Sequence, residues 1–91
     1  MAGFRITKPY TMTEEEVREA AEGLARELER EHGVQSRWVG NTVYISGAGV
    51  DGQMCYDHGT IDVSVKLGLL ASIFEGMLRN EVNRYLDDHV S

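Results

Sequence analysis

The sequence contains a single cysteine, Cys55, and a single proline, Pro9, among its 91 residues. One cysteine cannot form an intramolecular disulfide, whereas small secreted domains usually carry several disulfide pairs. We therefore expect a protein of the reducing cytoplasm. A chain of this length fits one domain and is too short for a barrel enzyme or a dinucleotide-binding fold. We predict that residues 1–91 form a single domain.

Basic residues are also scarce. Nine Lys and Arg stand against fifteen Asp and Glu, which gives a formal net charge of −6 with histidine neutral. Proteins that bind nucleic acid neutralise phosphates with Lys and Arg, so this balance argues against a nucleic-acid partner. Eight of the fifteen acids lie between Glu14 and Glu31, and we interpret them as the solvated face of a helix; the alternative is an acidic docking surface for a basic partner.

The sequence has no long hydrophobic run. Its longest mostly apolar stretch, Leu67–Phe74, covers eight residues and includes Gly68 and Ser72. A membrane-spanning helix needs about 20 apolar residues, so we expect no membrane span. The first residues also lack the apolar run behind a basic start that a signal peptide requires.

The first third of the chain predicts one strand and one helix. Phe4–Lys8 alternates apolar and polar residues, as a half-buried strand does, and Pro9 ends this strand or holds it at a sheet edge. Thr13 and Glu16 match the capping box and predict the start of a helix, which we call α1. Apolar residues then recur at intervals of three and four until Gly33, which predicts a left-handed helix cap after about 19 helical residues.

A hairpin follows this helix. Val34–Val39 and Thr42–Ser46 are joined by Gly40-Asn41, and this pair of residues tolerates the positive φ angles of a tight two-residue turn. The predicted register places Trp38 opposite Val43.

A second hairpin turns at His58-Gly59, between the short strand Met54–Tyr56 and the strictly alternating strand Thr60–Leu67. A two-residue turn would place Tyr56 opposite Ile61 on the core face and would leave Cys55 pointing outward. A three-residue turn would exchange the two faces, so the sequence leaves the orientation of Cys55 open.

The last third of the chain predicts a second helix, α2, directly after Gly68. Its apolar residues have helical spacing and form a stripe that is unusually wide in its first half, where Leu69 adds to it. The default interpretation is core packing. The alternative is a stripe too wide for one sheet face to bury, which would leave a patch for a partner helix, a second copy or a hydrophobic particle surface. The stripe consists of Leu70, Ile73, Phe74, Met77, Leu78, Val82, Tyr85 and Leu86.

These elements predict an α+β fold in the order β-α-β-β-β-β-α. Both helices need an apolar surface to cover, so we expect a two-layer sandwich with both helices on one face of a mostly antiparallel sheet. The other sheet face would be open, and it would carry Arg37, Tyr44, Asp62, Ser64 and Lys66.

One glycine-rich segment matches a phosphate-binding pattern. Gly47–Gly52 fits G-x-G-x-x-G literally, but that fingerprint works only when the last glycine opens a helix, and here a strand follows. We interpret the segment as a flexible loop between two hairpins and expect no bound cofactor.

Two further kinds of site can be considered. Cys55, Asp57 and His58 could form a nucleophile, carboxylate and base, but catalytic groups usually converge from separate elements and these lie at one hairpin tip. No pair among His32, His58 and His89 has the spacing of metal ligands on a helix. We therefore predict no metal site. Cys55, Asp57 and His58 are the only plausible set of catalytic residues.

Several short motifs follow one another in a distinctive order. They are a Glu- and Arg-rich helix ending at Gly33, Arg37-Trp38 before a Gly-Asn turn, Gly49–Gly52, Val65–Leu70, Asn80–Val82 and Leu86-Asp87. In this order they resemble the polyhydroxyalkanoic acid system protein family, also called the polyhydroxyalkanoate granule-region family. The resemblance covers nearly the whole chain and implies a cytoplasmic bacterial accessory protein that acts at polyester granules or on the proteins that make or coat them. It supplies no catalytic residues.

Two hypotheses for function follow. The first is a non-enzymatic accessory or binding protein that binds a granule surface, a polyester-pathway protein or a second copy of itself. The alternative is a small enzyme that acts on a hydroxyacyl or thioester substrate with Cys55 and His58. For the first hypothesis, the predicted interaction residues are Leu70, Phe74 and Met77 on α2 together with Arg37 and Tyr44 on the open sheet face.

Overall fold

Five strands and two helices follow one another in the predicted order. The computed structural model describes residues 2–91 of the chain. Its elements are β1 (Ala2–Pro9), α1 (Glu14–His32), β2 (Gln35–Val39), β3 (Thr42–Gly47), β4 (Val50–Asp57), β5 (Thr60–Leu67), one 3₁₀ turn (Ala71–Phe74) and α2 (Glu75–His89).

The five strands form one antiparallel sheet in the order β1-β5-β4-β3-β2. The predicted register of the first hairpin is confirmed, because Trp38 lies opposite Val43. The β4–β5 hairpin has the two-residue turn, which places Tyr56 opposite Ile61. Cys55 therefore points to the outer face of the sheet, where it is half-buried.

The ends of α1 are fixed by local chemistry, as predicted. The Thr13 hydroxyl accepts a hydrogen bond from the Glu16 backbone N–H at 3.1 Å, and the Glu16 carboxylate accepts one from the Thr13 N–H at 2.9 Å. At the other end Gly33 adopts a φ of 70° and donates its N–H to the Glu29 carbonyl at 3.0 Å. Glycine takes this left-handed conformation without the steric penalty of a Cβ atom.

One hydrophobic core joins both helices to one face of the sheet. Six buried residues of α1 and the buried Leu78, Val82 and Leu86 of α2 belong to the same cluster as the inward residues of β3, β4 and β5. The α+β class and the element order are confirmed, and this shared core is what two packed layers require. The opposite sheet face is largely polar, with Arg37, Ser64 and Lys66 exposed.

The glycine-rich segment differs from its prediction. Gly47–Gly52 is not a loop between two hairpins, because β4 begins at Val50 and pairs with β3. The turn itself is confined to Ala48 and Gly49, both with positive φ. Gly52 lies inside β4, opposite Ile45 on one side and Val65 on the other.

The start of α2 also differs from its prediction. The chain does not enter an α-helix directly after Gly68, since residues 71–74 form a 3₁₀ turn and α2 begins only at Glu75. In the first half of the apolar stripe, core packing is confirmed for Leu78 but is wrong for Leu70, Ile73, Phe74 and Met77, which are exposed together with Leu69. Within residues 2–91, no helix combines the length and the hydropathy needed to cross a membrane.

Candidate functional site

Five large apolar side chains are exposed together where the chain passes from β5 into α2. Leu69 is 93% exposed, Leu70 91% and Ile73 79%, while Met77 and Phe74 keep 56% and 50% of their surface in contact with water. We call this set the apolar patch. It consists of Leu69, Leu70, Ile73, Phe74 and Met77.

The backbone holds the apolar patch in place. Gly68 donates its N–H to the Gly49 carbonyl at 2.9 Å, which ties the segment to the β3–β4 turn. The Ser72 N–H bonds the Gly68 carbonyl at 2.9 Å, and the Ser72 hydroxyl bonds the Leu69 carbonyl at 2.8 Å. Ala71 is buried and turns the chain inward between the exposed leucines and Ile73. The patch is therefore presented by a defined turn that is anchored to the sheet.

The start of α2 is anchored as well. The Glu75 carboxylate accepts a hydrogen bond from the Gly3 backbone N–H of β1 at 3.0 Å. One helical turn later Leu78 is buried in the core, whereas its neighbour Met77 points away from the sheet. The two faces of this first turn thus have different roles, since one packs and the other is available for contact.

A shallow apolar groove adjoins the patch. Leu70, Phe74 and Met77 line one side of it, and Ala48 and Val50 of the β3–β4 turn region contribute to its wall. Charge occurs only at its α1 border, which is formed by Glu31 and His32. His32 is partnered, because its Nε2 atom lies 3.0 Å from Oε1 of Glu81 on α2. The arrangement suits an uncharged, aliphatic contact surface.

The apolar patch is larger than a single exposed hydrophobic residue. Full burial of a large apolar side chain contributes about 1.5 to 3 kcal/mol at about 25 cal/mol per Å², which corresponds to roughly 60 to 120 Å² for each side chain. The exposed fractions of the five residues therefore amount to roughly 200 to 450 Å² of apolar surface. The largest patch on a typical monomer is about 300 to 600 Å² and is often functional, so this patch is a candidate interaction surface.

The predicted interaction residues divide between two surfaces. Leu70, Phe74 and Met77 come together in the apolar patch. Arg37 and Tyr44 lie opposite each other on β2 and β3, on the open sheet face, and Tyr44 is 43% exposed. Leu69 and Ile73 were not among the predicted interaction residues, although the complete lack of charge from residue 67 to 74 was a signal for them.

The open sheet face is dominated by polar groups and one ion pair. Arg5 of β1 reaches diagonally to Asp62 of β5, with its Nε atom 2.9 Å from Oδ1 and a second contact through the guanidinium NH₂ group. The Arg5 hydrogen bond holds the pKa of the Asp62 carboxyl below its usual value, and Asp62 in turn raises the pKa of Arg5. This pairing links the edge strand β1 to its neighbour.

The thiol and the histidine of the alternative hypothesis lie on different parts of the β4–β5 hairpin. Cys55 faces outward opposite Asp62 within the sheet, whereas His58 lies at the turn and is 92% exposed. His58 Nε2 contacts the Asp57 carboxylate at 3.3 Å. Within residues 2–91, no hydrogen bond joins Cys55 to His58. A base must contact its nucleophile to activate it, and this contact is not assembled here.

The structure separates the three histidines. His32 pairs with Glu81, His58 with Asp57, and the ring of His89 stacks on Tyr85 with centroids 4.1 Å apart. Across residues 2–91, no group of three or more His, Cys, Asp or Glu side chains is arranged to hold a metal ion.

Comparison with known proteins agrees with the resemblance noted in the sequence. The chain belongs to the family described as "Putative polyhydroxyalkanoic acid system protein", whose sequence model matches residues 4–90. The family name links the protein to the polyhydroxyalkanoate system. No curated protein and no solved structure matches the chain significantly.

Proposed function

We propose that this protein is a non-enzymatic accessory protein of the polyhydroxyalkanoate system that binds the surface of polyester granules through the apolar patch. The observation that carries the proposal is the exposure of five large apolar side chains on one anchored segment. Such an area is costly to leave in water, so it favours a partner that removes it from solvent.

The chemistry of the patch favours an uncharged surface. Residues 67–74 contain no charged side chain, and the whole chain carries a net charge of −6. An anionic lipid surface is bound through clusters of Lys and Arg, which this segment lacks. An aliphatic polyester has no net charge and offers alkyl groups to the exposed leucine and isoleucine side chains. The family name makes this polyester the natural candidate.

The fold supports a surface-binding role because contact with the patch leaves the core unchanged. Leu78, Val82 and Leu86 hold α2 on the sheet from the opposite side of the helix. Binding therefore requires no unfolding, in contrast to proteins that expose apolar residues only after opening.

The test is co-sedimentation of the purified chain with native polyester granules, compared between wild type and Leu70→Asp. Leu70 is 91% exposed, so the variant should fold normally by circular dichroism. Burial of a leucine side chain contributes about 1.5 to 3 kcal/mol, so we expect binding to weaken by at least about tenfold. Phe74→Asp should behave in the same way.

The matched control is Val39→Asp, which places the same charge at an exposed valine of the open sheet face. Val39 is 54% exposed and lies on β2. This variant should bind granules as wild type does. Loss of binding in Val39→Asp with retention in Leu70→Asp would contradict the proposal and would move the binding surface to the open sheet face.

A further inference from the structure

When the protein is free in solution, no granule covers the apolar patch and its side chains are exposed to water. We propose that a second copy of the chain then covers it, so that the free protein is a dimer joined through the two patches. This inference rests on the proposed function in one respect, since it takes the same patch as the binding surface. It adds that granule binding and self-association exclude each other.

The exposed area fits a weak, reversible dimer interface. Each copy offers roughly 200 to 450 Å² of apolar surface, which is less than the about 800 Å² that each partner buries in a standard stable interface and lies in the range of weak, transient interfaces. The core of such an interface is depleted of charged residues and is more apolar than the remaining surface. The segment from Leu69 to Met77 meets this description, because its single charged side chain, Glu75, is turned to the Gly3 backbone of β1.

The distribution of acidic residues also favours the apolar patch as the surface for self-association. Two copies with a net charge of −6 each repel each other, and more than half of the acids lie on α1 between Glu14 and Glu31. In a two-fold symmetric dimer each surface meets its own equivalent. Contact through α1 would bring acid against acid, whereas contact through the patch brings only apolar side chains together.

The sheet edges are less suited to joining two copies. At the β1 edge, α2 is attached through Glu75 to Gly3 and through Asp87 to Lys8, with a distance of 3.0 Å for each contact. At the β2 edge, the Ser36 N–H donates to the Glu29 carboxylate of α1 at 3.1 Å. Charged groups at a sheet edge oppose pairing with another strand, so extension of the sheet is not the expected route to a dimer.

A functional consequence follows from sharing one surface. The side chains of the patch cannot contact a granule and a second copy at the same time. The dimer would keep the patch out of water until a granule surface becomes available, and binding to the granule would convert dimers to bound monomers. At high protein concentration the dimer would compete with granule binding.

The test is sedimentation equilibrium of the full chain over a wide concentration range, without granules. We expect a reversible monomer–dimer equilibrium for wild type. Ile73→Asp, at a side chain that is 79% exposed, should weaken the dimer by at least about a hundredfold, because each dimer contains the substituted residue twice. Leu70→Asp is a second variant with the same expected result, and Val39→Asp should dimerise as wild type does.

Two results would overturn the dimer: a wild-type chain that stays monomeric at every concentration, or a dimer that both Ile73→Asp and Leu70→Asp leave intact. The granule co-sedimentation described above separates this failure from failure of the proposed function. A monomer that binds granules would refute only the dimer. A dimer that does not bind granules at any dilution would refute only the granule-binding proposal.

Discussion

Gly23 lies in the middle of α1 at the point where Tyr85 of α2 approaches the helix. A Cβ atom built on Gly23 would overlap the Tyr85 hydroxyl oxygen and would lie 3.4 Å from the ring carbon that carries this oxygen. The tyrosine ring also stacks on His89, with ring centroids 4.1 Å apart, which limits its freedom to move aside. The hydroxyl, not the ring, therefore requires glycine at this position.

This geometry predicts different effects of Gly23→Ala on the free energy of unfolding in wild type and in Tyr85→Phe. Alanine is about 1 kcal/mol more favourable than glycine in a helix interior, but overpacking costs about 1 to 3 kcal/mol. In wild type the clash should cancel or exceed the gain, so the free energy of unfolding should stay the same or fall. In Tyr85→Phe the nearest atom is at ordinary contact distance, and Gly23→Ala should stabilise the protein by about 1 kcal/mol.

Urea denaturation of the four proteins in this double-mutant cycle measures the effect. The expected coupling free energy between the two positions is roughly 1 to 3 kcal/mol. A coupling near zero would refute the reasoning, because it would show that the Tyr85 hydroxyl does not restrict position 23. This would be the case if Gly23→Ala lowered the free energy of unfolding equally in wild type and in Tyr85→Phe.

Two further predictions concern the ends of secondary-structure elements and the open sheet face. Thr13→Ala removes the hydroxyl that caps α1 and should lower the free energy of unfolding by about 1 kcal/mol in urea denaturation, whereas Thr13→Ser should retain most of the stability. The depressed pKa of Asp62 means that its ion pair with Arg5 stabilises the fold above the ordinary carboxyl pKa and is lost as the pH falls through the lower, folded-state value. Asp62→Asn should thus be less stable than wild type at neutral pH, and this difference should shrink in acid; a difference that grows as the pH falls would contradict the assignment.

The two halves of the predicted second helix have different environments, one in the core and one in the exposed apolar patch. The sequence pattern of α2 is that of a helix that packs on a sheet, and half of it does so through Leu78, Val82 and Leu86. The segment before α2 is held by hydrogen bonds from Gly68 and Ser72, and of its apolar side chains only Ala71 is buried in the core. This firm hold supports the binding role proposed above.

Local patterns were sufficient to predict most of the secondary structure. The capping box at Thr13 and the left-handed Gly33 determined both ends of α1 through contacts that span only a few residues. The strict alternation of Thr60–Leu67 and the Gly40-Asn41 turn determined strand pairing for a similar reason, since register follows from turn length and a period of two. These features depend on residues that are close together in the sequence, so they can be recognised without the tertiary structure.

Tertiary structure alone decided where the wide apolar arc of α2 meets the sheet and which side of it stays in water. The same applies to Gly47–Gly52, where pairing with β3 and β5 converts an expected loop into strand β4, and to Cys55, whose distance from a base depends on the hairpin geometry. Burial is a property of two surfaces, and the second surface is supplied by residues far away in the chain. The sequence by itself therefore specified the elements and their order, whereas the packing of distant elements created the exposed patch.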